Sequence, residues 1–549
     1  MMTMRTAIFV LLSIAVLAQG PLAQGPPGEV PAPRVSFERL AHADEEPENW
    51  LTYSGSFMSQ RHSRLTEIHP GNAGALELKW TFRSASEGKH PVTPLVVDGT
   101  IYTIQSPNDV IALDAATGRR LWTYAYTPDP AARNCCGRVS RGLAILDDTI
   151  FLASFDTRII AIDARTGREI WKTAPAADPK EGYAFTHAPL VVKDKVIAGT
   201  AGGEFGVRGF IAAWDAKTGK EVWRFHTVPG PGEPGHDTWS GDSWMHGGAP
   251  IWVTGSYDPD TNLTYWGTGN PGPDWDGAGR LGDNLYSCSV IALNADTGAL
   301  EWHYQFSPHN EFDWDSAQVP VLADMDWQGR PRKVMLWANR NGMFYVLDRV
   351  TGQFLEGEPF VKVNWATGFD EIGRPILAPG IVPTLEGTLV YPGNQGGTNW
   401  YNPSYSPRTG LFYVPTWENT STTYVKGEQP PEFEDGKGFT GVFPRGGSTT
   451  EDVHSAIQAI DPATGRKRWT HRLSAPRTEA GVLTTASDVL FSGARDGSFY
   501  ALDARDGRVL WETSLGVSVG AGPITYAVNG EQRVSVMAGE SLFTFGLPD

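Results

Sequence analysis

Apolar and polar positions alternate along this chain in short bursts, without long amphipathic stretches. Runs rich in β-branched and aromatic residues, such as GTIYT (99–103) and VLFS (489–492), are a few residues long and bounded by turn formers. Such runs predict short strands. One pattern then recurs: an apolar pair, Asp, two or three variable residues, Thr-Gly, three residues, Trp. It reads ALDAATGRRLW up to Trp122, AIDARTGREIW up to Trp171 and AWDAKTGKEVW up to Trp223. It returns as ALNADTGALEW at Trp302, AIDPATGRKRW at Trp469 and ALDARDGRVLW at Trp511. A degenerate copy, VLDRVTGQFLE, ends at Glu356, and a fainter one surrounds Thr409 and Gly410. The apolar pair ends one strand, Asp and Thr-Gly form a tight turn whose glycine takes positive φ, and the next strand carries Trp.

The eight glycines of this pattern (118, 167, 219, 298, 352, 410, 465 and 507) lie 49, 52, 79, 54, 58, 55 and 42 residues apart. Each interval holds about four strands, and a single sheet of that size cannot bury both faces; radial stacking does so. The pattern therefore predicts an all-β fold, an eight-bladed β-propeller over residues 46–549 with tryptophan-docking motifs. The 62 glycines and 40 prolines agree with a chain made of many turns.

Upstream, Arg5 precedes an apolar run from Ala7 to Ala18, followed by small residues at Ala18 and Ala23. This reads as a signal peptide over residues 1–24, then an N-terminal linker over 25–45, and predicts export to the periplasm. Twelve apolar residues are too few to span a bilayer comfortably, and no later run approaches that length. A net charge of −17 disfavours nucleic acid and anionic membrane surfaces and suits a cationic protein partner.

Only three cysteines are present: the adjacent Cys135 and Cys136, and Cys288. They leave three arrangements: a ring closed between neighbours, a bridge from one of the pair to Cys288, or free thiols. A bridge between neighbours adds almost nothing through loop closure, so it would serve as a rigid surface inside a site.

The segments WLTYSGSFMSQRHSRLTEI (50–68), NCCGRVSRG (134–142), GGEFGVRG (202–209), GNPGP (269–273), NRNGMFYVLDR (339–349) and TGLFYVP (409–415), with the Trp repeats, resemble one family. It is the pyrroloquinoline quinone (PQQ) dependent alcohol dehydrogenases, and the resemblance runs from about Trp50 to Val536. It implies a disulfide between Cys135 and Cys136 over one face of the planar cofactor, with Trp244 over the other. It further implies Arg141 for a cofactor carboxylate, a hydroxyl from Ser154, close backbone approach at Gly202 and Gly203, and contacts from Asn399 and Trp400. Glu204, Asn270 and Asp313 match the family's metal ligands, hard oxygen donors suited to Ca²⁺. Asp315, two residues after Asp313, is where lanthanide-dependent members carry a further Asp; relatives not tied to lanthanides also have Asp-x-Asp, so the metal stays open between Ca²⁺ and a lanthanide.

In the mechanism that the resemblance implies, the metal is a Lewis acid on the quinone carbonyl. Asp313 takes the alcohol proton as hydride leaves the carbinol carbon. Arg340 hydrogen-bonds the quinone oxygens and Asp313. Two positions depart from the family: Pro91 stands where many members have Glu, and Glu479 where some have Trp. The sequence contains no Cys-x-x-Cys-His, so electrons are expected to pass to a separate cytochrome c. A homodimer is compatible with these features. The substrate expected is an alcohol, oxidised to an aldehyde, with a polyol, sugar or polymeric alcohol as the rival. A non-catalytic propeller scaffold has no reason to combine Cys135, Cys136, Glu204, Asn270 and Asp313.

Overall fold

The computed structural model describes residues 30–447 and 450–549; the expected signal peptide lies outside them. Among the described residues, eight sheets each contain four antiparallel strands. In chain order they span 95–124, 144–172, 190–226, 256–305, 321–359, 404–472 and 483–514, called here sheets 1 to 7. Sheet 8 joins Ile524–Val528, Glu531–Ala538 and Ser541–Gly546 to the early strand Glu77–Arg83, which pairs with Ser541–Gly546. A short strand, His62–Ser63, adds in parallel to sheet 7.

The first strands of sheets 1 and 3, Leu95–Val97 and Leu190–Val192, are buried throughout. The fourth strand of a sheet is its most exposed, as in Glu169–Lys172 and Arg466–Arg472. The Trp residues of these outer strands lie on the Thr-Gly turns of the next sheet. A methyl group on Gly118 would stand 2.5 Å from the Trp80 ring, on Gly167 2.6 Å from Trp122, and on Gly219 2.7 Å from Trp171. The same contact joins Gly298 to Trp223, Gly352 to Trp302 and Gly507 to Trp469. The indole N–H groups of Trp80, Trp122, Trp223 and Trp469 donate to the carbonyls of Ala115, Ala164, Ala295 and Ala504. Between sheets 5 and 6, where the repeat lacks Trp, the Glu358 stem covers Gly465, and a methyl group there would stand 2.7 Å from it. Trp511 of sheet 7 meets Phe545 of sheet 8 edge-on at 5.2 Å, so these contacts return to their start.

Two expectations are corrected. Thr409 and Gly410 lie between the first and second strands of sheet 6, not the third and fourth, and nothing approaches a Cβ placed on Gly410. The eighth sheet instead comes from the two ends of the chain meeting, without a Thr-Gly turn. The described part of the expected linker is packed: Val30, Val35 and Leu40 are buried in the core, and Val35 bridges to Asp147.

Two kinds of loop emerge at the same end of every sheet: those entering the first strand, and those joining the second to the third. No helix among the described residues is long and apolar enough to cross a membrane.

Candidate active site

Loops of those two kinds enclose a cavity of about 440 Å³. Sheet 1 contributes His90 and Pro91, sheet 2 Cys135, Cys136 and Arg141, sheet 3 Thr186, Gly202 and Glu204. Sheet 4 adds Pro250 and Trp252, sheet 5 Asp313, Asp315 and Arg340, and sheet 6 Asn399 and Trp400. Glu479 and Arg495 of sheet 7 and Ser518 and Met537 of sheet 8 complete the wall. Residues scattered over four hundred positions thus meet because equivalent loops share one end of the fold.

Cys135 and Cys136 are bonded to each other, and Cys288 is free and buried. The pair is exposed to the cavity mouth, and Cys135 Sγ lies 3.0 Å from Glu204 Oε1. The Arg141 guanidinium lies 4.9 Å from both the Trp252 and Trp400 rings, and its Nη1 donates to the Thr186 carbonyl at 3.1 Å. Its Nε is buried without a partner, and burial pulls its pKa down to about 10. A buried cation facing no carboxylate is costly, and an anionic ligand removes that cost.

The opposite imbalance lies beside it. Asp313 sits at φ +57°, a left-handed conformation that costs a side-chain-bearing residue about 1 kcal/mol. Its neighbours fix it there: the Asn310 side chain accepts from the Phe312 and Trp314 N–H groups, and Trp314, fully buried, donates to the Gly393 carbonyl. Arg340 spans both aspartates, with Nη2 2.9 Å from Asp313 Oδ2 and Nη1 2.6 Å from Asp315 Oδ2. The loop 393–397 holds it in turn, since Arg340 Nε donates to the Asn394 carbonyl. Asp315 Oδ1 accepts the Asn270 N–H at 2.8 Å, and a methyl group on Gly203 would stand 3.7 Å from Asn270 Oδ1. Glu204, Asn270, Asp313 and Asp315 are therefore gathered at one side of the cavity.

Burial, reinforced by Asp315 and Glu204, holds the Asp313 carboxyl well above the usual range although Arg340 opposes it. Burial and Asp315 raise Glu204 to about 7. Asp274, which the sequence did not suggest, is buried among the same carboxylates and is likewise raised, by burial and then by Asp313. Burial lowers Arg340, but the two aspartates outweigh it and raise it. One guanidinium faces several acids, so the hard oxygen set fits a metal cation, and the unpaired Arg141 fits an anionic cofactor.

Two expected cofactor contacts are elsewhere. Trp244 packs beneath Arg208, 4.9 Å away, and against Val228, Trp239 and Ala249. Trp252, eight residues on, lines the cavity instead. Ser154 is fully buried in its own turn, where its hydroxyl donates to Asp156 at 2.6 Å, and Thr186 lines the cavity instead. Asn399 lines the cavity and donates to the Gln395 carbonyl. At the departure from the family, Glu479 lies 3.7 Å from both Lys89 and Arg495. Sequence reasoning also missed Arg280, which is fully buried and donates to the Pro273 and Asn310 carbonyls. It ties the Asn270 loop to the Asp313 loop.

Four-stranded sheets whose loops converge on paired aromatics, a vicinal disulfide and an acidic pocket define a quinoprotein-type dehydrogenase. The family model for the glucose/ethanol/alcohol dehydrogenase β-propeller domain matches residues 50–363, and that for outer membrane protein assembly factor BamB matches 453–546. The chain is 38% identical to quinoprotein alcohol dehydrogenase PedH of Pseudomonas putida, over 92% of this chain and 88% of that protein. It is 37% identical to 1-butanol dehydrogenase (cytochrome c) of Thauera butanivorans, over 89% and 74%. A europium-containing methanol dehydrogenase superposes with a TM-score of 0.88 at 33% identity, covering 93% of this chain and all of that one. The protein belongs to the PQQ-dependent alcohol dehydrogenase family.

Proposed function

We propose that the protein oxidises an alcohol to an aldehyde in this cavity. One observation carries the reading: the buried, carboxylate-free Arg141 and an excess of buried carboxylates line the same space. PQQ would be held by Cys135–Cys136, Trp252, Trp400, Arg141, Arg340 and Asn399, and a metal ion by Glu204, Asn270, Asp313 and Asp315. When bound, this pair supplies a two-electron acceptor polarised by a Lewis acid. Asp313 accepts the substrate hydroxyl proton on its carboxylate. Arg340, bonded to both aspartates, keeps the Asp313 carboxylate oriented and stabilises negative charge developing beside it.

The same reading includes three wider elements. The eight sheets close as an eight-bladed propeller, supported by the Trp-on-Gly contacts that run from sheet to sheet and back. Residues 1–24 direct export to the periplasm. Electrons leave to a separate cytochrome c, a reading supported by the name of the Thauera relative and by the acidic surface.

Dye-linked oxidation of primary alcohols by the PQQ-loaded protein, with Ca²⁺ or La³⁺, tests the proposal. Asp313→Asn is expected to lower kcat by about 100- to 10,000-fold while PQQ absorbance is retained. Full activity in that variant removes Asp313 as the base. Inactivity of the loaded wild type towards alcohols shifts the substrate to a polyol, sugar or polymeric alcohol.

A further inference from the structure

The connection between the second and third strands of sheet 6 leaves at Glu418 and returns at His454, a far longer path than a turn needs. Its stretch 433–443 contributes nothing to the cavity wall and instead crosses the loops of sheets 2, 3 and 4 as a strap. The Gly436 carbonyl accepts from Arg133 Nη1 at 2.7 Å, two residues before the cysteine pair. The Phe439 N–H donates to the Glu204 carbonyl at 2.7 Å, and the Thr440 carbonyl accepts the Trp275 N–H at 3.0 Å. Phe443 meets the Trp275 ring at 4.8 Å.

The crossing is tightest at Glu204. That residue sits in the 3₁₀ turn Gly203–Phe205, bounded by Gly202 at φ +115° and Gly206 at φ +64°. So glycine-rich a segment has much conformational freedom to lose, and outside contacts are needed to hold one side chain in place. The strap supplies them. A methyl group on Gly206 would stand 2.9 Å from the Phe439 ring and 3.0 Å from the Phe433 ring. Phe433 stacks on the His246 imidazole, with centroids 3.4 Å apart and planes 17° apart, and His246 Nδ1 lies 3.2 Å from the Gly206 carbonyl oxygen. Phe439 meets Phe433 edge-on at 5.7 Å. Gly206 is thus gripped by two rings of sheet 6 and an imidazole of sheet 4, and the Glu204 carbonyl is pinned two residues earlier.

We propose that Phe433 and Phe439 are positioning residues that preset the Glu204 loop for a cation. The cost of ordering the loop then falls on folding and not on ion binding. The inference rests on the cation site proposed above.

Calorimetric titration of the PQQ-loaded full-length protein with La³⁺ and with Ca²⁺ tests it. Phe433→Ala is expected to weaken the ion that the wild type binds by about tenfold, the scale on which groups behind a ligand act. Phe433→Tyr, which keeps the stacked ring, retains wild-type affinity. In a Glu204→Ala background the Phe433→Ala change is expected to cost less than about twofold, because no ligand is left to position. Hydrogen exchange of the segment 202–209 in protein prepared without the ion gives a second reading, about tenfold faster in Phe433→Ala. It decides the matter where Glu204→Ala takes up no ion, and Phe433→Leu, which lacks the stacked ring, carries both measurements if the Ala variant does not fold. Unchanged ion affinity in a folded Phe433→Ala overturns the proposal. So do equal losses with and without the Glu204 side chain, a loss in Phe433→Tyr, or wild-type exchange rates over 202–209. Wild-type protein that takes up neither ion overturns the cation site itself, and this inference with it.

Discussion

The ring closed by Cys135 and Cys136 stands where a disulfide contributes least to stability, since the loop it closes is minimal. Its use is as a surface at the mouth of the cavity, against Glu204. Replacing both cysteines by Ala is expected to change the unfolding free energy by less than about 1 kcal/mol. It uncovers on the order of 50 Å² of bound cofactor, about tenfold in the PQQ dissociation constant. Denaturant titration and cofactor titration on one sample separate these outcomes; a large stability loss with unchanged PQQ affinity would make the bridge a staple. At this scale the site was only partly legible in the sequence. Arg141, Glu204, Asp313 and Arg340 sit in motifs distinctive enough to place. Trp244 and Trp252 share one short segment, and nothing local says that the 3₁₀ turn Ser243–His246, which carries Trp244, will hold that ring away from the cavity. Asp274 and Arg280 gave no signal because their partners lie on another loop, brought near only by the closed fold.

Secondary-structure elements were more legible, because the hairpin physics is local. Asp and Thr-Gly close the same turn each time: Asp114, Asp163 and Asp215 accept from the N–H of the Thr three positions along and from its hydroxyl. The faint copy at Gly410 has a similar composition but a different place in its sheet, and substitution exposes the difference. Gly298 and Gly410 share left-handed φ, +71° and +67°, but only Gly298 lies against an indole, where an added methyl group would stand 2.5 Å from the Trp223 ring. Gly410→Ala is expected to cost about 1 kcal/mol of backbone strain, and Gly298→Ala about 2–4 kcal/mol once overpacking is added. Equal costs in denaturant melts would mean that the Trp-on-Gly contact carries no special packing. His187 gives a second test. Its ring is fully buried, donating from Nδ1 to the Ala188 carbonyl at 2.7 Å and accepting the Gly199 N–H at Nε2, 2.9 Å away. Burial lowers its pKa to about 4 from the ordinary 6.5. Between those values the unfolded chain binds the extra proton, so the stabilising effect of the neutral ring is complete above pH 6.5 and is lost as pH falls through about 4. The loss amounts to about 3 kcal/mol, and His187→Gln is expected to show a correspondingly shallower decline over that range. Parallel declines would mean that the ring is protonated in the folded protein.

On the scale of the whole molecule, one topological fact joins distant parts of the chain in a single sheet. The first strand of sheet 8 follows sheet 7, while its outermost strand, Glu77–Arg83, comes from the other end of the chain. That arrangement has no local signature, which is why the repeat counted the copy at Gly410 and missed the sheet formed by Glu77–Arg83. It also brings Ser518 and Met537, late in the sequence, to the same cavity as Pro91 and Cys135. Loops of all eight sheets reach that space, and the outer strands, rich in charged residues, face solvent. With a net charge of −17, the surface exerts a long-range attraction on a cationic electron acceptor that a neutral dye does not feel. Raising ionic strength from about 10 to 150 mM shortens the screening length from about 30 to 8 Å. The second-order rate constant for reduction of a basic cytochrome c is expected to fall by about tenfold or more over that range, with the dye-linked rate unchanged. Rates that fall together would place the salt effect on the enzyme itself. A cytochrome rate that stays flat would mean that docking relies on a local apolar contact and that the overall charge serves solubility alone.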